Sequence, residues 1–509
     1  MRLINLIDNC GQLLNIILKS PNSSDRTAEF FFYDKRKIIG SKERKFISEI
    51  VFTAIRNLLL LKNISTTLNI EKHINHPNIF IKGKKYSLMI LIQILLVEHF
   101  RLEFDFITIN NIKYIENEKT LSIINSICLD LSAISKTNNN SDKNSFDKIN
   151  FDKINSDKIN FDNIINYIEN ELSQNIIEYY SNINKKYNKD NIINSLENIY
   201  SFPKEFINNL LLHSDVINID NILDFVKAMN RPANTCIRVN TSITNVNDVI
   251  NNLKEQGIES YAGNISPSCV IIPTRRQLTT LDIYKQGYFT IQDEASQLVG
   301  FCINPQPNDT ILDACAGAGG KSLHLADMQN DNGSIIATDI ESKKLKEIIK
   351  RAALTNYKSI TIATNKNDNI ILNNKSKLEN KKFDIVLVDA PCSGAGTIRR
   401  DPMKKYTILT KTINKISKNQ LSILTNYSKY VKSNGTLIYS TCSIFPQENE
   451  NIVKQFLEEN TDFIPEPLFP HLKKYGINIS TLTEKDFYIT LFPFIHNTDG
   501  FFIARMRRL

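Results

Sequence analysis

Between Lys42 and Lys62, the apolar residues Phe46, Ile47, Ile50, Val51, Ala54, Ile55 and Leu58 recur at spacings of three and four, and charged residues fill the opposite face. That spacing predicts an amphipathic helix. Tyr86 to His99 predicts a second. The N-terminal stretch MRLINLIDNCGQLLNIILK mixes Asn, Asp and Gln into its apolar positions, which predicts an amphipathic helix rather than a signal peptide. Proline is scarce here, with Pro21 and Pro77, so residues 1–135 read as an all-helical domain. Residues 136–164 are low in complexity, with FDKIN at Phe146–Asn150 and Phe151–Asn155, then SDKIN and FDNI. A repeat of five fits neither the helix nor the strand period and cannot bury one continuous face, so an inserted flexible loop is expected. Residues 165–297 return to helical spacing and then turn mixed. Strand-like runs at Cys236 and Cys269 flank a helix over Val246–Gln256, predicting a small α+β module. From residue 298 to 509, short apolar strands end at Asp313, Asp339, Thr364, Asp389 and Ser440, and helical stretches separate most of them. That alternation predicts an α/β domain of the Rossmann-like, doubly wound kind.

Composition adds boundaries. The longest apolar run, Leu88–Val97, is interrupted by Gln93 and is far shorter than the ~20 residues that span a bilayer. A buried helix, and no membrane partner, is expected. Eight widely spaced cysteines, none in C-x-x-C register, predict free thiols in a cytoplasmic chain without a metal site. The net charge of +8 permits a polyanionic partner without requiring one. Abundant Asn, Ile and Lys without Trp suggests A/T-rich codons, so Asn runs carry little functional weight.

The first strand of the α/β region ends in Asp313-Ala-Cys-Ala-Gly-Ala-Gly-Gly-Lys-Ser322, and a helix follows at once. Glycines after a strand let backbone approach a ligand, and the helix start adds free N–H donors. A phosphate-binding P-loop would need Gly where Cys315 stands. Asp339, about 20 residues on, is placed to accept ribose hydroxyls. Alone, the glycines fit an ordinary tight turn. With Asp339 they point to an adenosyl ligand lacking phosphates.

Two further strands end in Asp389-Ala-Pro-Cys392-Ser-Gly and Ser440-Thr-Cys442-Ser-Ile-Phe-Pro446. Both cysteines fall just past a parallel strand, where such sheets bind ligands, in turns of Ser, Gly, Thr and Pro rather than in apolar runs. Beside a methyl donor, a thiolate can add to carbon 6 of a pyrimidine and turn carbon 5 into a nucleophile. A carboxylate such as Asp389 could hold the exocyclic amine of cytosine. The residues alone do not say which cysteine attacks.

DACAGAGGKS, DAPCSGAGTIRRDP and STCSIFPQENE resemble motifs of the RNA 5-methylcytosine methyltransferases of the RsmB/Sun family. YSFPKEF (Tyr200–Phe206), IRVN (Ile237–Asn240) and GYFTIQDEASQL (Gly287–Leu298) resemble that family's substrate-binding module, so the likeness covers about residues 195–509. The helical N-terminus is similar to a NusB-like domain. The resemblance implies Cys442 as nucleophile, Cys392 assisting product release, and Asp389 near the methyl donor. It implies S-adenosylmethionine against Cys315, Ala316, Gly317, Ala318, Gly319, Gly320 and Lys321, with Asp339 on the ribose. Ala318 stands where the family often has Pro. Asn365 stands where it usually has Asp near the adenine, with Asp368 as a nearby substitute. The implied partner is 16S rRNA, at cytosine 967, free or in an assembly intermediate, and a monomer is expected. The RNA module and the helices are expected to touch RNA, as are Arg399, Arg400, Lys404 and Lys405 at phosphates. Arg238 is a further candidate contact, and Arg505, Arg507 and Arg508 read as a basic tail. Two rivals stay open: the same chemistry on tRNA or another RNA, and a catalytically silent ribosome-assembly factor.

Overall fold

The computed structural model describes residues 3–20, 23–59, 61, 78–81, 84–87, 189–274, 276–366, 369–372 and 381–509. The five-residue repeats, the apolar run Leu88–Val97 and Asp368 lie outside them. The described chain forms two compact units.

The first unit contains most of the N-terminal half together with residues 219–231 and 401–407. Its helices include Leu3–Lys19, Ser24–Asp34, Ser41–Arg56, Lys189–Tyr200 and Ile222–Asn230. All seven apolar positions singled out between Lys42 and Lys62 are buried. Strands β1 (Asn78–Ile81) and β2 (Lys84–Ser87) add an antiparallel hairpin to these helices. Tyr86, expected to open a helix, closes that hairpin opposite Ile79.

The segment 401–407 corrects one expectation. Lys405 is not a phosphate contact. It is fully buried, and its ammonium donates to the carbonyls of Arg56 (2.6 Å) and Tyr200 (3.2 Å) and to Asn230 Oδ1 (2.9 Å). Arg56 and Tyr200 end their helices, where carbonyls beyond the helical ladder accept from side-chain donors. Tyr406 donates its hydroxyl to the carbonyl of Ile55, and Asp401 accepts from Ser24 Oγ.

The second unit begins, after Asn209–Asn218, with an antiparallel sheet. Its strands are β3 (Thr235–Val239), β4 (Tyr261–Ala262), β5 (Cys269–Ile272) and β6 (Phe289–Ile291), in the order β4-β5-β3-β6. Helix Val246–Glu255 buries Val249 and Leu253 against Ile237, Val270 and Phe289. This is the expected α+β module.

A nine-stranded sheet follows. Its strands are β7 (Thr310–Asp313), β8 (Ser334–Asp339), β9 (Ile360–Lys366), β10 (Asn369–Leu372), β11 (Phe383–Asp389), β12 (Val431–Thr441), β13 (Phe463–Pro465), β14 (Tyr488–Leu491) and β15 (Phe501–Arg508). The order is β10-β9-β8-β7-β11-β12-β15-β13, with β14 also on β15. β9, β8, β7, β11 and β12 run parallel, and the outer strands are antiparallel. Side chains alternate faces along each strand. Ile385, Leu387, Ile438 and Ile503 enter one core, whereas Val386, Val388, Tyr439 and Phe502 enter the other. Burial on both faces explains why these strands read as continuous apolar runs.

The C-terminal arginines belong to this sheet and are not a tail. Arg505, on β15, is buried and donates to Glu466, to the carbonyls of Cys302 and Ile303, and to Thr436. Arg508 pairs with Asp462 at 2.9 Å, and Arg507 donates to Asn434. Arg238 is likewise interior. Its guanidinium lies 3.6 Å from Asp327 and donates to Gln292. Burial pulls its pKa down to about 10 even with Asp327 opposing. Asp327 also accepts from the backbone and hydroxyls of Thr241 and Ser242 and from Tyr357. It therefore anchors the end of the IRVN strand to helix Gly320–Met328.

Candidate active site

β8 and β11 lie on opposite sides of β7, so the chain changes direction across the sheet between β7 and β11. Open α/β sheets bind ligands at the carboxyl ends of strands beside such a switch. Every loop predicted to carry chemistry leaves one of these ends.

The loop after β7 is tightly tied. Ala314 donates to the carbonyl of Leu387, Ala316 to that of Thr338, and Gly319 to that of Ala316. Arg351 donates to the carbonyl of Ala318 at 2.7 Å, holding the position where proline is absent. Gly319 has φ +80° immediately before helix Gly320–Met328, a conformation that favours glycine. A carbon added at Gly317 or Gly320 would meet nothing within 4 Å, so the loop faces open space there. Asp339 accepts from Gly317 N (2.9 Å) and Glu341 N (2.8 Å), one bond per carboxylate oxygen. Each oxygen retains a further acceptor site. Asn365 sits on β9, one strand beyond β8.

Two charged groups meet in front of the loop. Lys321 lies 2.6 Å from Asp389 Oδ2, and Ser440 donates to Asp389 Oδ1 at 2.9 Å. Burial works against the Lys321 charge, but Asp389, Asp313 and Cys442 outweigh it and push its pKa up. Asp313, fully buried at the root of the loop, accepts from Ser322, while its other oxygen has no partner. Burial raises its pKa to about 7. Burial, followed by Asp313, Asp389 and Asp339, pushes the Cys315 thiol up, so it stays a thiol at neutral pH.

The loops after β11 and β12 bring Cys392 and Cys442 together, with Sγ atoms 3.2 Å apart and both half-buried. The hydrogen bond to Cys442, then burial, with the charge of Glu448 adding to them, holds the Cys392 thiol well above its ordinary range. Gly396 N donates to the Cys442 carbonyl, and Gly500 N donates to the Gly396 carbonyl, both at 2.9 Å. A side-chain carbon at Gly396 would lie 1.9 Å from Gly500 O.

Arg400 is engaged by two carboxylates of its own fold. It pairs with Asp499 and with Asp293, the latter at 2.7 Å. Burial and then Asp293 raise the Asp499 pKa to about 6. Arg399 is buried and donates to the carbonyls of Thr498 and Pro232. Arg400 looked like a phosphate contact because its acidic partners stand about a hundred positions away in sequence.

The model described as 16S rRNA methyltransferase RsmB/F matches residues 300–507, and a ferredoxin-like domain of RsmF/B-like methyltransferases matches 220–279. Over these residues the chain belongs to the RsmB/F methyltransferase family. It is 34% identical over 280 residues to the probable ribosomal RNA small subunit methyltransferase B of Bacillus subtilis, covering 54% of this chain and 60% of that one. It is 28% identical over 301 residues to the 26S rRNA (cytosine-C(5))-methyltransferase nsun-1 of Caenorhabditis elegans, covering 57% of this chain and 44% of that one. The chain thus spans roughly half the length of these relatives. The crystal structure of PH0851 shares the fold over 99% of this chain and 98% of its own, with TM-score 0.65 and 23% identity. The two matches span most of the α+β module and the sheet whose loops carry the glycines and both cysteines.

Sequence reasoning missed Glu448, Ser440, Asp293 and Asp499. Glu448 carried a signal, being a carboxylate six residues past Cys442 in an otherwise uncharged turn.

Proposed function

We propose that this chain methylates carbon 5 of a cytosine in small-subunit rRNA, with S-adenosylmethionine as donor and Cys442 as nucleophile. The observation that carries this reading is the 3.2 Å approach of two thiols, from adjacent parallel strands, beside the Lys321–Asp389 pair. One such cysteine is common, but two thiols converging on a ligand-binding strand end match covalent activation of a pyrimidine.

The residues fit the donor. Asp339 has free acceptor sites for ribose hydroxyls, the open faces of Gly317 and Gly320 leave room, and Asp313 keeps an unpartnered oxygen at the root of the loop. The resemblance puts either Asn365 or Asp368 at the adenine end. When bound, the donor supplies an electrophilic methyl group on a sulfonium. The protein prepares the base to take it. The Lys321 ammonium stabilises negative charge on Cys442. Having given up its proton to water, the Cys442 thiolate adds to carbon 6 of cytosine, and the electron density passes to carbon 5. Asp389, fixed by Lys321 and Ser440, accepts the exocyclic amine. After methyl transfer the carbon 5 proton leaves to water, and the carbon–sulfur bond breaks. Cys392, held as a thiol, donates to the departing Cys442 sulfur, as a release group should. The target base must leave its stack to reach the sulfur.

The wider reading follows the family resemblance. The N-terminal helices belong to a NusB-like RNA-binding domain, the α+β module binds RNA, and 298–509 is the catalytic domain, whereas the expected insertion at 136–164 lies outside the described residues. The substrate is 16S rRNA at cytosine 967, and the enzyme acts as a cytoplasmic monomer without a metal. Among the described residues no helix is long and apolar enough to cross a membrane. Bisulfite sequencing of small-subunit rRNA from cells with and without the protein tests the substrate. One 5-methylcytosine should disappear and return with wild type but not with Cys442→Ala. An unchanged pattern would move the substrate to another RNA.

A further inference from the structure

Glu448 is fully buried within the short turn Pro446–Glu448 and is surrounded by donors. Its Oε1 accepts from Ser393 N (2.8 Å) and Gln420 Nε2 (3.2 Å). Its Oε2 accepts from the hydroxyls of Ser393 and Ser443, both at 2.5 Å. Ser393 follows Cys392, and Ser443 follows Cys442. A single carboxylate therefore ties the two cysteine turns together directly beyond the sulfur-bearing residues. The two hydroxyls are 3.3 Å apart, nearly the spacing of the thiols.

The turn carrying Glu448 is itself fixed. Tyr439, on β12, donates its hydroxyl to the Glu448 carbonyl at 2.6 Å. Asn449 accepts from Thr441 and donates to the Ser443 carbonyl. Gln420, on helix Thr410–Ser428, also donates to the Pro391 carbonyl and so holds the Cys392 turn from its other side. A buried carboxylate is costly unless its acceptor sites are filled. Here they are filled by Ser393 of one turn, Ser443 of the other and Gln420 of the helix, so the carboxylate bonds to both turns at once.

We propose that Glu448 is a positioning residue that sets the relative placement of Cys392 and Cys442, and through it the rate of covalent catalysis. It does not touch substrate; it acts through Ser393 and Ser443. The part concerning catalysis rests on the function proposed above, whereas the part concerning thiol placement does not. Its charge has a second effect, helping to keep Cys392 a thiol while Cys442 attacks.

Two readouts separate these parts. The first is the rate at which diamide joins Cys392 to Cys442, followed by mass spectrometry of the intact full-length chain. Two thiols lose two electrons and two protons to form the disulfide, and diamide is reduced to the hydrazine. Thiols already in contact should couple quickly in the wild type. Glu448→Ala should couple at least about tenfold more slowly, since a displacement near 1 Å can cost about 100-fold when reacting groups must align. The second is steady-state methylation. Glu448→Ala should lower kcat by about 10- to 100-fold, with KM for RNA and for S-adenosylmethionine within about twofold. Glu448→Gln, which keeps the shape and acceptor oxygen and lets the serine hydroxyls reorient, should recover most of the coupling rate.

Should Glu448→Ala fail to fold, the Ser393→Ala/Ser443→Ala double variant removes both hydroxyl links and leaves the carboxylate in place. It should show the same slow coupling. Unchanged diamide coupling in whichever variant folds would overturn the positioning role. So would an altered KM with kcat intact. A wild type that couples fast but methylates no RNA would refute the functional reading while leaving the positioning result standing.

Discussion

Gly396→Ala offers the sharpest mechanical test of the site. The hydrogen of Gly396 that a methyl group would replace points at the backbone of Gly500. The new carbon would lie 1.9 Å from the Gly500 oxygen, 2.5 Å from its carbonyl carbon and 2.8 Å from its Cα. Side-chain carbons come no closer than about 3.0 Å, so the two backbone segments must part by about 1 Å. No flexible side chain can absorb the shift, because every atom met belongs to backbone. Separation breaks the Gly500 N to Gly396 O bond and drags on Gly396 N, which donates to the Cys442 carbonyl. The strain should cost about 1–3 kcal/mol of stability, as overpacking does in interiors. The larger effect should be kinetic, because a misplacement of about 1 Å at reacting atoms can cost about 100-fold. Single-turnover methylation measures the chemical step, and calorimetric titration with S-adenosylmethionine checks that the cofactor loop is intact. The expected result is a 10- to 100-fold slower step (order of magnitude) with cofactor affinity within about twofold. A variant that folds and methylates at the wild-type rate would refute the claim that this backbone contact holds Cys442.

Further outcomes follow from buried charges. Lys405→Met should destabilise the protein by about 1–3 kcal/mol, since three oxygens each lose one donor although Tyr406 and Asn230 still serve two of them; a denaturation midpoint equal to wild type would contradict that role. Arg400→Gln should leave the salt dependence of RNA binding unchanged, because Arg400 answers to Asp293 and Asp499; a slope lowered by about 0.7–0.9 would instead mark a phosphate contact. Asp313 titrates near 7 when folded and near 3.8 as a free group. The folded state therefore holds its proton more tightly, and the stability this gives, full below about 4, is lost as pH rises through about 7. Asp313→Asn should flatten the fall in melting temperature between pH 4 and 7. An identical slope in both proteins would show that Asp313 is not its source.

The parallel strands were legible because burial on both faces leaves runs such as Phe383–Asp389 almost wholly apolar. The helix Ser41–Arg56 was legible from its period. The cysteine turns stood out because Cys392 and Cys442 sit among small polar residues at strand ends. Pairing across long sequence distances was not legible. Arg399, Arg400, Lys405 and Arg505 present the same local appearance as surface charge. Helix-end carbonyls and Glu466 hold Lys405 and Arg505 in the interior, Arg399 is buried against carbonyls, and Asp499 and Asp293 engage the half-buried Arg400. Glu448 stood out as a lone carboxylate in its turn, but its role was not legible for a related reason: its partner Ser393 comes from a different strand's turn.

The central claim is that Cys442 forms a covalent bond with a cytosine and Cys392 releases it. The most direct measurement incubates Cys392→Ala with a small-subunit rRNA fragment and S-adenosylmethionine, then identifies the linked residue by mass spectrometry after nuclease digestion. The account predicts a stable adduct in which Cys442 carries a methylated cytosine, absent when Cys442 is also replaced by Ala. Free release of methylated RNA without an adduct, or attachment through any other residue, would contradict it.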